Sequence, residues 1–303
     1  MEKEKLAVMC AMHCDPYQAI YYKKLFDKYW GNEVGGLYLK LSGLNYLGSK
    51  DFILDLFKDT ADFIDADWFI NDHGMTLDAL YPEVPDDKEV VMIMDSDEWI
   101  YKSGLITDLL SSFDEGIDIV GEWCDSGSVG LKDKAHEIFG RCRLNPMIVL
   151  IRKRLLDKIP DLHFGSKNWK VGEVIVPLKN WVSIQDECTD TFGYVGLQLL
   201  NLTDKLRHIT INQDGLFHAA SLSSWMITYS QREPIYEPDQ HFEDRLAWWY
   251  WLATRFGDGF PDKEATRKHI EKLLKFGEVN KLPKETLEKH QEMIFQKYPA
   301  LKL

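Results

Sequence analysis

Over residues 1–160 this 303-residue chain alternates between short apolar runs of strand length and amphipathic stretches of helical length. Few architectures accept that order. "LAVMCAM" (residues 6–12) is apolar throughout, as a strand covered on both faces must be. Asp15-Pro16 then marks a helix start, a capping carboxylate followed by proline at the first helical position. "GGLYLKLSG" predicts a second strand and "SKDFILDLFKDTADFI" an amphipathic helix. "ADWFIND" predicts a third strand, with Asp65 and Asp67 ahead of its apolar core, at the amino end and on the surface. "DDKEVVMIMDSD" is a polar lead-in to a strand, "SGLITDLLSSFDEG" a helix and "IDIVGEWC" a strand. "NPMIVLIRKRLLDKI" reads as a strand running into a helix. Strands separated by helices build β-α-β units, so the predicted class is α/β, with a mostly parallel central sheet flanked by helices.

Beyond Pro160 the alternation loosens. "WKVGEVIVPLKNWVSI" suits a hairpin or a pair of strands. "DECTDTFGYVGLQLLNLTDKL" places Phe192, Val195, Leu199 and Leu202 on one helical face, with Thr189 or Asp190 as the expected cap. "RHITINQDGLFHAASLS" reads as strand, turn, then strand or loop, and from Asp239 the chain turns helical. The predicted division is therefore an α/β domain over 1–238 and a helical C-terminal extension over 239–303. "FEDRLAWWYWLATRF" is apolar nearly all round, so it is either core or a partner interface. A homodimer contact through Trp248 to Trp251 is one expectation. Trp181 and Trp225 are candidates for lining a ligand groove, since aromatic faces stack on sugars or bases, although most tryptophans serve as core.

A formal net charge of −13 argues against a protein that binds mainly by neutralising phosphate backbones, and is compatible with one that gathers a divalent cation. Five cysteines without CxxC spacing make neither a disulfide framework nor a zinc ribbon. Reduced thiols and a cytoplasmic location are the expectation. The apolar run in "MEKEKLAVMCAM" is too short to span a bilayer, and no transmembrane segment is expected.

The chemistry concentrates in "VVMIMDSDEWI" (residues 90–100), where an apolar strand runs into Asp95-Ser96-Asp97-Glu98. In open α/β sheets ligands bind beyond the carboxyl ends of strands. If the backbone stays extended through Ser96, Asp95 and Asp97 point the same way and offer oxygen ligands to Mg2+ or Mn2+. The plain alternative is a solvated turn in which Asp97 or Glu98 caps the next element.

"IMDSDEWI" resembles the aspartate-x-aspartate motif of GT-A-fold glycosyltransferases, and the order of strands and helices before it is similar to the nucleotide-binding half of that fold. The resemblance covers roughly residues 5–235. It implies that Asp97 ligates Mn2+ or Mg2+ on the diphosphate of a nucleotide-sugar donor, a UDP-sugar foremost, and that Asp95 reaches the ribose or a metal-bound water. In "QDECTDTFGYVGLQLL" it implies a base for a hydroxyl acceptor among Asp186, Glu187 and Asp190, with Asp190 favoured for its place at the helix start. In "DGLFHAASLS" it makes His218 the third metal ligand, against the alternative of a structural histidine. Asp15 in "MHCDPYQ" and Asp72 in "INDHG" become candidates for holding base or ribose, Asp15 being equally a helix cap. The acceptor is a glycan, a lipid-linked sugar, a protein side chain or a hydroxylated nucleobase.

Three rivals remain. A haloacid-dehalogenase-like phosphatase would use Asp95 as nucleophile and Asp97 as acid, but its motif continues with Thr or Val and lies near the amino terminus, whereas Glu98-Trp99 comes next here. A nucleotidyltransferase would want a glycine-rich basic loop, which "AMHCDPYQ" is not. A non-catalytic binding protein would leave the acidic cluster solvated.

Overall fold

The computed structural model describes residues 1–43, 48–66, 73–123, 144–165, 169–170, 187–188, 192–219, 242–256, 263–264, 266–268, 270–271 and 283–303. At its centre β1 (Leu6–His13) pairs in parallel with β2 (Leu37–Ser42) on one side and β4 (Val90–Asp95) on the other. β3 (Phe63–Ala66) adds in parallel to β2. Beyond β4, β7 (Leu144–Arg152) runs antiparallel between β4 and β6 (Ile119–Trp123), and β10 (Leu206–His208) pairs in parallel with β6. The sheet order is β10-β6-β7-β4-β1-β2-β3, so the predicted mixed α/β class with a mostly parallel sheet holds. The strand order reverses between β1 and β4, and such a switch point opens a crevice at the strands' carboxyl ends.

All eight residues of β1 are buried because helices cover both faces of the sheet. Leu6, Val8, Cys10 and Met12 meet α1 (Pro16–Leu25), α2 (Ser49–Phe57) and α4 (Leu105–Asp114). Ala7, Met9 and Ala11 alternate to the other face, against α3 (His73–Leu80), α5 (Lys153–Leu156) and α6 (Gly193–Leu202). Asp15 caps α1 as the sequence predicts, its Oδ1 accepting the N–H groups of Tyr17 (2.9 Å) and Gln18 (3.2 Å).

A second, antiparallel pair, β5 (Glu98–Ile100) with β11 (Leu216–His218), sets Glu98 opposite His218. A third core packs α7 (Phe242–Phe256) and α8 (Lys284–Lys297) onto α1 and β5. Trp248 lies 4.8 Å from Trp99 and Trp249 5.6 Å from Tyr17, ring centre to ring centre. Contacts within one chain thus account for the burial of these tryptophans without a second copy.

Two expectations fail. α2 stops at Phe57, and Phe63 and Ile64, the tail of the predicted helix, open strand β3 (Phe63–Ala66), which starts three residues before the predicted strand. Asp62 explains the change. Its N–H donates to Leu37 O (2.8 Å) and its Oδ2 accepts from Leu37 N–H (2.9 Å), which draws the chain onto the edge of β2. Asp65 therefore lies within the strand, ion-paired to Lys40 Nζ at 2.6 Å, and not ahead of it. Asp67 lies outside the described residues. The second failure is the cap of α6. The helix begins at Gly193 behind Phe192, with no capping side chain, so Asp190 falls ahead of the cap position that favoured it. Phe192 N–H instead donates to Phe164 O (2.8 Å).

Candidate functional site

β4 ends at Asp95, and a turn at Ser96-Asp97 leads directly into β5. The backbone is therefore not extended through Ser96, and the two aspartates take separate partners. Asp95 Oδ1 lies 2.9 Å from His73 Nε2, each side chain about a quarter exposed. Asp97 Oδ1 lies 3.7 Å from His218 Nε2, both nearly buried. Ser96 is buried and accepts from Gln18 Nε2 (3.1 Å), which ties the turn to α1. A solvated acidic strand end would leave its carboxylates in water. Here Asp97 is 4% exposed and Glu98 0%, which removes that alternative.

The Asp97–His218 pair is made by strand pairing. β11 runs antiparallel to β5, and Ala219 N–H donates to Asp97 O (2.8 Å), so His218 is delivered beside the turn. Burial pushes the His218 imidazole down, but Asp97, with Glu98 and Asp95 behind it, outweighs that and raises it to about 9. Glu98 is pushed up to about 8, chiefly by burial. Among the described residues no three His, Cys, Asp or Glu side chains form a ready-made metal centre. One carboxylate and one imidazole do suit a cation that arrives with its remaining ligands, as Mg2+ commonly does with substrate phosphates.

The adjoining wall is the carboxyl edge of β1 and β2. Gly43, at φ +93°, turns the chain after β2, and a Cβ there would come within 2.4 Å of His13 Nε2. Only glycine lets the imidazole pack so closely. Burial lowers His13 to about 4 against the pull of Asp97, with Lys50 adding to the lowering, so the ring is neutral at physiological pH. Asp15, fully buried, is pushed up to about 7 by desolvation despite its two backbone hydrogen bonds.

Several buried polar atoms here have no hydrogen-bond partner: both ring nitrogens of His13, Asp15 Oδ2, Gln18 Oε1, Ser49 Oγ and both carboxyl oxygens of Glu98. They come from β1, α1, the start of α2 and β5, elements that end at, follow or leave the carboxyl ends of β1, β2 and β4. Each such group costs about 1–3 kcal/mol if left unsatisfied. Unpaired buried groups call for a partner, and a polar ligand at the strands' carboxyl ends would supply one.

The sequence-predicted residues divide accordingly. Asp15, Asp95, Asp97 and His218 converge on the carboxyl edge of the sheet. Glu187 is placed only by its backbone, in β9 (Glu187–Cys188) opposite β8 (Trp169–Lys170). Asp72, Asp186 and Asp190, with Trp181 and Trp225, lie outside the described residues. Sequence reasoning missed His13, Gln18, Ser49, His73 and Glu98. His13 and Gln18 sat inside the loop "MHCDPYQ" already read as nucleotide-facing, and Glu98 inside the acidic run. His73 sat inside "INDHG", the other stretch read that way, and nothing local marked Ser49.

No protein-family model and no curated protein matches the chain. Among solved structures it is similar to S. aureus TarS 1-349, with 11% identity and a TM-score of 0.43 over 98% of this chain and 90% of that one. TarS 1-349 has also been solved in complex with UDP-GlcNAc. It is similar to the mannosyltransferase PcManGT from Pyrobaculum calidifontis in complex with GDP-Man and Mn2+, with 11% identity and a TM-score of 0.41 over 98% and 86% of the two chains. A 4-diphosphocytidyl-2C-methyl-D-erythritol synthase from Anaerococcus prevotii aligns with 10% identity and a TM-score of 0.42 over 75% of this chain and 100% of that one. At such identities and scores the likenesses carry no inference about substrate. Among the described residues no helix is long and apolar enough to cross a membrane.

Proposed function

We propose that this chain is a metal-dependent glycosyltransferase of the GT-A type, moving a sugar from a nucleotide-diphosphate sugar, a UDP-sugar foremost, to a hydroxyl acceptor. The observation that carries the reading is the Asp97–His218 pair at the carboxyl end of β4, with the buried, unpartnered polar atoms of His13, Asp15, Gln18, Ser49 and Glu98 on the elements that leave the sheet's carboxyl ends. A nucleotide sugar presents a base, ribose hydroxyls and a diphosphate, and so offers partners to such groups.

Asp97 and His218 would hold Mn2+ or Mg2+ at the diphosphate, with Asp95 reaching the ribose or a bound water. The cation supplies Lewis-acid neutralisation of the charge on the leaving diphosphate. The His13–Gln18 segment, with Asp15 in it, would take the base and ribose together with Asp72. Asp186, Glu187 and Asp190 are the carboxylates that the family resemblance offers as base. The free thiols of Cys10 and Cys14, both buried, accord with a cytoplasmic setting.

A thermal-shift panel of UDP-, GDP-, CMP- and dTDP-sugars, each with and without Mn2+, tests the reading. One nucleotide is expected to stabilise the wild type only with metal, and to lose that effect in Asp97→Ala. No metal-dependent shift with any donor would sink it.

A further inference from the structure

His73 is the first residue of α3 and lies beside the carboxyl end of β4. Its Nε2 stands 2.9 Å from Asp95 Oδ1. That oxygen is buried, whereas the Asp95 side chain as a whole is about a quarter exposed, so the opening of the carboxylate lies on the side of Oδ2. The approach of the two side chains is close but not in line for a hydrogen bond, as is common before a ligand completes a site. Asp97, two residues on, turns instead to His218, so the two carboxylates of the turn have different neighbours. Asp95 belongs to the same site all the same, because its charge helps to raise the His218 imidazole.

The backbone that carries His73 is clamped. Gly74 packs so tightly on the 163–165 loop that a Cβ there would come within 2.2 Å of Gly165 Cα and 2.3 Å of Phe164 O. In the last turn of α3, Asp78 holds the same loop: its Oδ1 accepts the Phe164 N–H at 2.6 Å, and its Oδ2 contacts His163 Nδ1. Leu77 and Leu80 share a core with Ala7, Met9 and Ala11 of β1, and Ala11 is the register partner of Asp95. Packing through β1 therefore fixes α3 against β4 and brings the imidazole to the carboxylate. A carboxylate so neighboured has lost much of its rotational freedom before any ligand arrives, and freedom already lost does not weaken binding.

An ionised carboxylate only accepts hydrogen bonds. Of the groups on a nucleotide sugar, the diphosphate is itself an acceptor and is repelled by Asp95, whereas a hydroxyl donates. We propose that His73 is a positioning residue, holding Asp95 so that its open oxygen accepts a ribose hydroxyl of the donor, which rests on the glycosyltransferase reading above. The His73–Asp95 pair then selects ribonucleotides over their deoxy counterparts and leaves the cation to Asp97 and His218.

The test titrates UDP, GDP and CDP, and the 2′-deoxy and 3′-deoxy analogues of each, into the full chain with Mn2+ by calorimetry. The wild type is expected to bind one ribonucleotide about 10-fold or more tighter than its 2′- or 3′-deoxy analogue, the worth of one hydrogen bond to a charged group. His73→Ala, Asp95→Ala and the double variant are each expected to erase that preference to the same extent, weakening the ribonucleotide and leaving the deoxy analogue where it was. His73→Gln, whose amide N–H can stand near the position of Nε2, is expected to keep most of it, and its loss there too overturns the assignment. A residue that only stapled α3 would weaken both ligands alike, so parallel losses in His73→Ala also overturn it. Preference retained in His73→Ala but lost in Asp95→Ala overturns the role of His73 and leaves Asp95 with the ribose. A wild type that binds with metal but without preference takes Asp95 off the ribose and overturns the assignment, with the donor site left standing. No binding of any of the three ribonucleotides with Mn2+ overturns the glycosyltransferase reading, and this assignment falls with it.

Discussion

Glu98 and His218 stand directly across from one another on the antiparallel β5–β11 pair, and next to Glu98 the Asp97 carboxylate lies 3.7 Å from the same imidazole. A two-stranded ladder thus brings two buried acids and one histidine to the mouth of the parallel sheet. The arrangement places a carboxylate and an imidazole side by side, where an incoming cation could take both as ligands.

Removing either member of the Asp97–His218 pair should therefore uncouple metal from nucleotide. Asp97→Ala and His218→Ala are each expected to abolish the Mn2+-dependent part of donor binding, read by calorimetry at matched ionic strength. Donor affinity in either variant that still rises with Mn2+ as it does in the wild type would rule out the pair as the cation's ligands.

Asp15 makes a pH-dependent contribution of predictable sign. Its folded value, about 7, lies above its unfolded value, so its favourable contribution is full below the unfolded value and is lost as pH rises through about 7. Asp15→Asn keeps an N-cap acceptor and cannot ionise. The wild type should lose stability from pH 5 to pH 8 relative to Asp15→Asn, in urea melts at each pH. Asp15→Ala should cost about 1 kcal/mol through the lost cap. Parallel pH curves for wild type and Asp15→Asn would contradict the buried-acid account.

Asp118 has the opposite sign. It accepts from Arg154 Nη2 (2.7 Å) and Thr203 Oγ1 (2.8 Å) and lies 3.1 Å from Arg152 Nε. Burial raises the carboxyl, but these partners outweigh it and hold the group below the usual carboxylate range. Its stabilisation is present above the unfolded value and disappears as pH falls through the folded one. Asp118→Asn should cost about 2 kcal/mol at neutral pH, with the deficit closing in acid. An equal deficit at pH 3 and pH 7 would exclude the ionic origin.

Gly74→Ala probes the seam between α3 and the 163–165 loop. Alanine would ordinarily favour a helix by about 1 kcal/mol, yet its methyl would strike Gly165 backbone. The expected net effect is a loss of roughly 1–3 kcal/mol, typical of overpacking. A more stable variant in chemical denaturation would show that the two backbones do not approach so closely.

Much of this protein was decided by short-range sequence. The apolar runs at Leu6–His13 and Val90–Asp95 could be read as buried parallel strands because periodicity and apolarity are local properties, and Asp15-Pro16 marks a helix start within two residues. The same locality put Asp95 and Asp97 at a strand end. Tertiary structure decided what local pattern cannot encode. Helical periodicity ran on through Phe63 and Ile64, yet the pull of β2 and the two bonds between Asp62 and Leu37 made those residues the start of a strand. The pairing of His218 with Asp97, of His73 with Asp95 and of His163 with Asp78 depends on which strands and helices become neighbours. Residues far apart in the chain share no periodicity, so only the folded sheet could bring those histidines to their carboxylates.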